Sequence, residues 1–352
     1  MAAFRNFKSV SNILYSRGSF GQLPEMVSKL RGLGRGAVYI LDHFFRGRNL
    51  VQRAGVTPED CCFYLDTTHE PKTGIVDEYV RQIKERGVPG VVVGIGGGAT
   101  MDVAKAVAIM LANPGKTHQY QGWDLVVNKP VYKIGVPTLS GTGAEVSRTT
   151  VLIGPEKKQG INSDFSLFDQ IVLDPDLLAT VPSEQRFYTA MDCYIHGVEA
   201  LCGTFLNEFS RAYAEKALEL CRRVFLHDAD DALLMVASFL GGYSIVYSEV
   251  GLCHALSYGL SYAFGAPHGQ ANCLTFKHLH EYYPAYVPEF QEIAGRAGIS
   301  LEGKLVQGVS ESVMEKMIDI TLLMEKPLCN TFGPDWRKIM TREKIREMYL
   351  RM

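Results

Sequence analysis

The sequence predicts an α/β N-terminal half with a parallel, helix-covered sheet, followed by an all-α C-terminal half. Three observations predict it. Short, uninterrupted apolar runs recur in the first half, helix-like segments separate them, and strand patterns stop after about residue 182. Ala37-Val-Tyr-Ile-Leu41 is the first run and ends at Asp42; Cys61-Cys-Phe-Tyr-Leu65 is the second. Gly90-Val-Val-Val-Gly-Ile95 is the third, of the kind expected when both faces of a sheet are covered. Between the second and third, Ile75, Val76, Tyr79, Val80 and Ile83 fall at helical spacing, closed by Gly87 and Pro89. Tyr132-Lys-Ile-Gly-Val136 makes a fourth strand, stopped by Pro137, and Tyr15 to Gly21 reads as a strand running into a turn and a helix start. Ser183–Cys202, Glu208–Phe225, Asp230–Tyr247 and Val250–Ala263 then read as helices. The boundary falls at Val181-Pro182, giving domains 1–181 and 182–352.

The chain's 352 residues suffice for two domains, and 47% hydrophobic with 21% charged residues is ordinary globular composition. A formal net charge of -2 argues against nucleic acid as the partner, because neutralising phosphates takes a basic surface. Eight cysteines show no C-x-x-C pair and sit largely in apolar or helical stretches, so reduced thiols in a cytoplasmic protein are expected. The first 24 residues hold Arg5, Lys8 and Arg17 and no acid, but they lack an apolar core, so no cleaved signal is expected. From Ala232 to Gln270 the only formal charge is Glu249. That stretch is long enough to span a membrane, yet its many Ser, Tyr and Gly residues and unflanked ends fit buried core helices better.

Val91 to Ile95 runs directly into Gly96-Gly-Gly98, after which Val103, Ala106, Val107 and Met110 follow a helical pattern. Glycines at a strand-to-helix turn admit a ligand close to the backbone, and the helix N-terminus offers free N–H groups to an anion such as pyrophosphate. The spacing is neither G-x-G-x-x-G nor a Walker A loop, and a tight turn with no ligand is the competing reading. Asp102, in the first helical turn, complements the dipole or serves the chemistry. A second Gly/Thr-rich loop, Pro137-Thr-Leu-Ser-Gly-Thr-Gly-Ala-Glu145, offers the hydroxyls of Thr138, Ser140 and Thr142. Two such loops at the carboxyl ends of parallel strands are where an open α/β sheet takes its nucleotide. Asp42 at the end of the first strand suits a ribose diol and would repel a 2′-phosphate, which favours NAD over NADP.

In the helical half, Asp192 and His196 lie four residues apart on one helix face, about 6 Å apart at the backbone. His254 and His268 would be about 21 Å apart on one straight helix. Gly265-Ala-Pro267 interrupts that helix, with Gly259 a possible earlier weak point, so a bend can bring the two imidazoles together. Three imidazoles and one carboxylate suit Zn²⁺ or Fe²⁺ rather than Mg²⁺ or Ca²⁺. The other six histidines lack comparable context.

These segments resemble the iron-containing, or group III, alcohol dehydrogenases. The carrying motifs are Gly96-Gly-Gly-Ala-Thr-Met-Asp102 with Lys105, Pro137 to Glu145, Asp174-Pro-Asp-Leu177, Asp192-x3-His196 and His254-x13-His268-Gly-Gln-Ala-Asn272, spread between about residues 10 and 275. The resemblance implies a Rossmann-like N-terminal domain and a helical C-terminal domain, the fold shared with dehydroquinate synthase, with NAD(P) and a metal in a cleft between them. It implies Asp192, His196, His254 and His268 as metal ligands, and Asp42, Gly97, Gly98, Thr138, Ser147 and Lys158 as nucleotide contacts, to which the loop hydroxyl of Thr142 is added. Family members often carry a histidine four residues after the one matching His254. Tyr258 stands there in this chain, which puts a proton relay through an imidazole in doubt: Tyr258 either takes it over or fills space. Asp102 is the second catalytic candidate. The resemblance further implies a homodimer acting on a small sugar acid or polyol. It is strongest to members that oxidise the 8-hydroxyl of 3-deoxy-manno-octulosonate ahead of a PLP aminotransferase in lipopolysaccharide sugar synthesis.

Two other functions fit the same residues. An NAD- and zinc-dependent lyase or cyclase of the dehydroquinate synthase type would need a basic pocket for a substrate phosphate, and the metal-bearing helices hold few Lys or Arg. A non-catalytic nucleotide- and metal-binding protein is the other.

Overall fold

A computed structural model of the chain describes residues 7–156, 158–301 and 306–352; Arg5 lies outside them. The chain divides into two compact units. The first runs through Leu139 and resumes over Ala144–Val181, and the second takes Ser140–Gly143 with Pro182–Met352. The sequence reading kept the whole 137–145 loop in the first domain; four of its residues instead pack with the helices.

The first unit is built on a six-stranded sheet of β1 (Asn12–Tyr15), β2 (Ala37–Asp42), β3 (Cys61–Leu65), β4 (Val91–Gly96), β6 (Tyr132–Pro137) and β9 (Gln170–Leu173). The order is β1-β9-β6-β4-β2-β3, and every neighbouring pair is parallel. Helices α1 (Leu23–Arg31), α2 (Asn49–Arg53), α3 (Thr73–Arg86) and α4 (Gly98–Ala112) connect the strands. Every residue of β4 is buried, which is why its sequence is an unbroken apolar run. Because β6, β4 and β2 are adjacent and parallel, Asp42, Gly97 and Thr138 all lie at the carboxyl edge of the sheet.

Sequence periodicity did not announce a second sheet, formed by β5 (Gly122–Trp123), β8 (Lys158–Asn162) and β7 (Thr149–Ile153). It is tied to α4 by a buried pair. Lys105 Nζ donates to the carbonyls of Ser147 and Thr149 at 3.2 and 2.8 Å and lies 3.4 Å from Asp102 Oδ1, while Asp102 Oδ2 accepts from Val151 N at 3.0 Å.

The second unit is helical: α5 (Ser183–Cys202), α6 (Glu208–His227), α7 (Ala232–Ser248), α8 (Leu252–Phe264) and α9 (His268–Phe276). Among the described residues α10 (Val287–Arg296), α11 (Glu311–Leu322), α12 (Glu325–Phe332), α13 (Trp336–Ile339) and α14 (Arg342–Leu350) follow. Helix α5 is buried without a break from Phe187 to Ala200, and its side chains share a core with residues of α6, α7, α8 and α9. Among the described residues no single helix is long and apolar enough to cross a membrane. The stretch from Ala232 to Gln270, with Glu249 its one formal charge, runs through α7 and α8, bent by 106° at the break between them, into the start of α9.

Gly265 ends α8 in the left-handed region at φ +64°, Pro267 precedes α9, and His268 is the first residue of α9. Helix α8 runs straight through Gly259, contrary to the expectation of an earlier weak point. The glycine serves packing: a Cβ there would stand 2.1 Å from the Tyr349 hydroxyl.

Candidate functional site

Three helices of the second unit bring the polar residues together. Asp192 is fully buried on α5, and its Oδ1 lies 3.6 Å from His196 Nε2, 3.4 Å from His254 Nε2 and 3.6 Å from His268 Nε2. Ligand atoms of Asp192, His254 and His268 all lie within 4.8 Å of one another. The His196 ring stacks on that of His254, with centroids 4.8 Å apart. Helical spacing gives the first pair, and the chain reversal at Gly265–Pro267 gives the second. Gly269 lets the segment bearing His268 sit close, since a Cβ there would be 2.6 Å from the Tyr188 carbonyl oxygen on α5.

Burial alone would raise the Asp192 carboxyl, but the positive character of His196, His268 and His254 outweighs it and holds the group well below the usual carboxylate range. Burial pushes His196 down to about 4, against the pull of Asp192. Burial would lower His254 too, yet the Glu199 carboxylate and Asp192 overcome it and raise that imidazole to about 10.

Two residues escaped the sequence reading as site residues. Asn272, one turn after His268, donates from Nδ2 to Asp192 Oδ1 at 2.6 Å and stands 3.1 and 3.3 Å from the Nε2 atoms of His254 and His268. Glu199, one turn after His196, meets His254 Nδ1 at 2.5 Å. Their i+4 and i+3 offsets from the histidines were the available signal. The donor set fits a divalent ion: imidazole nitrogens converge on one oxygen of a buried carboxylate whose other oxygen, Oδ2, has no hydrogen-bond partner among the described residues.

In the first unit, Gly97 caps α4 and Gly98 opens it, with no side-chain cap. The first N–H groups of a helix lack intrahelical partners, and the Thr100 hydroxyl here is buried without a hydrogen-bond partner among the described residues. That cradle fits an anionic group such as pyrophosphate. Asp42 accepts from Phe44 N at 2.9 Å and from the Thr67 hydroxyl at 3.1 Å. Thr138 is buried, and its N–H is bonded to Gly96 O at 3.0 Å. Ser147 Oγ accepts from Thr149 N at 3.0 Å, and Lys158 pairs with Glu70 at 2.9 Å. Thr142 lies in the four-residue segment that packs with the helices, where Gly141 N donates to Ser238 Oγ at 2.7 Å.

The two catalytic candidates stand in different surroundings. Tyr258 stacks its ring on His268 at 5.7 Å between centroids, so it borders the cluster. Both oxygens of Asp102 are engaged, by Lys105 and by Val151 N. Burial pushes its carboxyl up and the Lys105 ammonium down, and their attraction opposes both shifts. The structure gives Asp102 the work of tying α4 to β7.

Residues 11–175 match the iron-containing alcohol dehydrogenase family, and residues 186–331 match the C-terminal part of the Fe-containing alcohol dehydrogenase family. The chain belongs to this family. The match extends well past residue 275, where the motifs legible in the sequence ended. A sulfoacetaldehyde reductase of Bilophila wadsworthia is 29% identical over 59% of this chain, and the matched stretch spans only 56% of that relative. Among solved structures, a 1,3-propanediol oxidoreductase superposes with a TM-score of 0.86 at 21% identity, covering 99% of each chain. A sulfoacetaldehyde reductase from Bifidobacterium kashiwanohense in complex with NAD+ superposes with a TM-score of 0.82 at 20% identity, over 99% of this chain and 98% of that one. The family match bears out the expected fold class and disfavours the lyase reading.

Proposed function

We propose that this protein is a metal-dependent, NAD-linked dehydrogenase that interconverts a primary alcohol and its aldehyde, with Asp192, His196, His254 and His268 holding one divalent ion. The observation that carries the reading is the cluster itself: a buried carboxylate ringed by imidazole nitrogens at 3.4–3.6 Å. Zn²⁺ or Fe²⁺ held there supplies Lewis-acid polarisation of the alcohol or carbonyl oxygen, and NAD supplies the hydride acceptor.

The chain's own residues do the rest. The α4 N-terminus with Gly97 and Gly98 receives the pyrophosphate. Asp42 takes the ribose hydroxyls, and its negative charge selects NAD over NADP. Thr138, Thr142, Ser147 and Lys158 complete the nucleotide contacts. Tyr258, through its hydroxyl, passes the alcohol proton toward solvent.

The finer reading is a small anionic substrate, a sugar acid such as 3-deoxy-manno-octulosonate oxidised at its 8-hydroxyl, in a cytoplasmic homodimer that feeds a PLP aminotransferase. The name of the Bilophila relative, whose substrate is a short aldehyde carrying an anionic group, supports the charge class. The test is NADH formation by the purified, metal-loaded protein across a panel of simple primary alcohols, polyols and sugar acids. Turnover undiminished after complete metal removal would refute the metal-dependent chemistry. Activity on simple alcohols alone would refute the sugar-acid assignment.

A further inference from the structure

We propose that Glu199 is a positioning residue whose single carboxylate both caps α8 and fixes the ring of His254, the third residue of that helix; the proposal rests on the reading of His254 as a metal ligand. Glu199 stands seven residues after Asp192 and three after His196, so α5 carries all three on one side. It is 1% exposed. Helix α8 begins after Gly251, which has no side chain with which to cap it. Glu199 does so from the neighbouring helix. Its Oε2 accepts from Gly251 N at 2.8 Å, and its Oε1 accepts from Cys253 N at 2.6 Å and His254 N at 3.4 Å. A negative charge at that position also complements the helix dipole.

The same Oε2 meets His254 Nδ1 at 2.5 Å. Nδ1 therefore carries the proton it donates, and Nε2, the nitrogen left for an ion, faces Asp192 3.4 Å away. A carboxylate behind a ligating imidazole fixes tautomer and ring orientation and makes the nitrogen a better donor. His196 is built differently, because its Nδ1 has no hydrogen-bond partner among the described residues. The Tyr283 hydroxyl, 3.4 Å from Oε1, adds a further donor to the carboxylate. Glu199 thus makes the start of α8 and the aim of its ligand one structural event: the helix cannot slide or rotate at its first turn without moving Nε2.

Glu199→Gln keeps the shape and leaves one oxygen for the helix cap, but it removes the charge and puts an NH₂ group on one arm. Zn²⁺ affinity, measured by competition with a chromophoric chelator, should fall about 10–100-fold. The visible absorption bands of the Co²⁺-substituted protein should change, while far-UV circular dichroism and NAD binding stay as in the wild type. Wild-type Zn²⁺ affinity and an unchanged Co²⁺ spectrum in the folded variant would overturn the proposal. His254→Ala, run alongside, separates the two levels. If it binds Zn²⁺ as the wild type does, the ligand assignment fails; if it loses Zn²⁺ while Glu199→Gln keeps full affinity, only the role of Glu199 fails. Should Glu199→Gln not fold, Glu199→Asp retains the charge and draws the carboxylate back by about 1.5 Å. It should bind Zn²⁺ several-fold more weakly, and undiminished affinity there also overturns the proposal.

Discussion

Asp192→Asn is the most direct perturbation of the metal cluster, because it changes one charge and almost no volume. The carboxylate is fully buried, its Oδ1 takes the Asn272 amide at 2.6 Å, and three imidazole nitrogens stand 3.4–3.6 Å from that oxygen. An amide must point its NH₂ group either at the Asn272 donor or into the space the ion needs. A residue that merely orients a ligand is worth about 10–100-fold in metal affinity, so losing the only anionic ligand should cost at least about 100-fold. The consequence for stability follows by mass action. At a metal concentration 100 times the wild-type Kd, binding stabilises the fold by about 2.7 kcal/mol. For a variant binding 100-fold more weakly, the same concentration contributes RT ln 2, about 0.4 kcal/mol. The rise in melting temperature when Zn²⁺ is added to chelator-stripped protein should therefore shrink to roughly a sixth, with NAD binding intact. A full wild-type Zn²⁺-induced shift in Asp192→Asn would refute the ligand assignment.

Two further outcomes test other parts of the chain. Tyr258→Phe removes the one hydroxyl proposed to move a proton and keeps the ring stacked on His268; turnover should fall about 100-fold or more with Zn²⁺ affinity unchanged, and a loss under two-fold would reduce Tyr258 to packing. In the first unit, Asp60 accepts from Arg31 Nε and a terminal guanidinium nitrogen, from Ala37 N and from Thr57 N, fixing the end of α1 to the start of β2. Burial would raise its carboxyl, but these donors, Arg31 foremost, hold it below the ordinary value. Its stabilisation is thus complete above the unfolded carboxylate pKa of about 3.9 and is lost as pH falls through the lower folded value. Asp60→Asn should cost about 2–3 kcal/mol near neutrality, and denaturant melts should show that gap closing as pH drops below about 4. A gap that is constant from pH 7 to pH 3 would contradict this.

What was legible in the sequence was whatever local periodicity encodes. Val91–Ile95 is buried on both faces and so reads as an apolar run, and Asp192 with His196 declares a shared helix face by spacing alone. The approach of His254 to His268 was legible because Gly and Pro mark the break between α8 and α9. Glu199 was not. A glutamate on a helix reads as a solvated charge until its partner is known, and that partner lies 55 residues away. Asn272 fails for the same reason, its meaning resting on Asp192, 80 residues earlier. The transfer of Ser140–Gly143 to the helical unit also depends on contacts distant in sequence, such as Gly141 N to Ser238 Oγ. Asp102 misled in the opposite direction: its place beside the glycine turn suggested chemistry, while Lys105 and Val151 N occupy it.

The charges around the cluster favour a divalent ion over any monovalent one. Asp192 and Glu199 are both buried, at 0% and 1% exposure, and they flank His254 on opposite nitrogens. With neutral imidazoles the two carboxylates leave a buried charge of -2, which a low-dielectric interior tolerates poorly. A proton on His254, which is raised to about 10, cancels half of it. His196 does not take a second one: burial pushes it down to about 4, and its ring stacks 4.8 Å from that of His254. Asp192, Glu199, a protonated His254 and a neutral His196 then sum to a buried charge of -1. An ion of charge +2 that displaces the proton facing Asp192 brings the sum to zero while Glu199 keeps its hydrogen bond to Nδ1. The imbalance that burial creates between the two rings is thus what a divalent cation is suited to relieve.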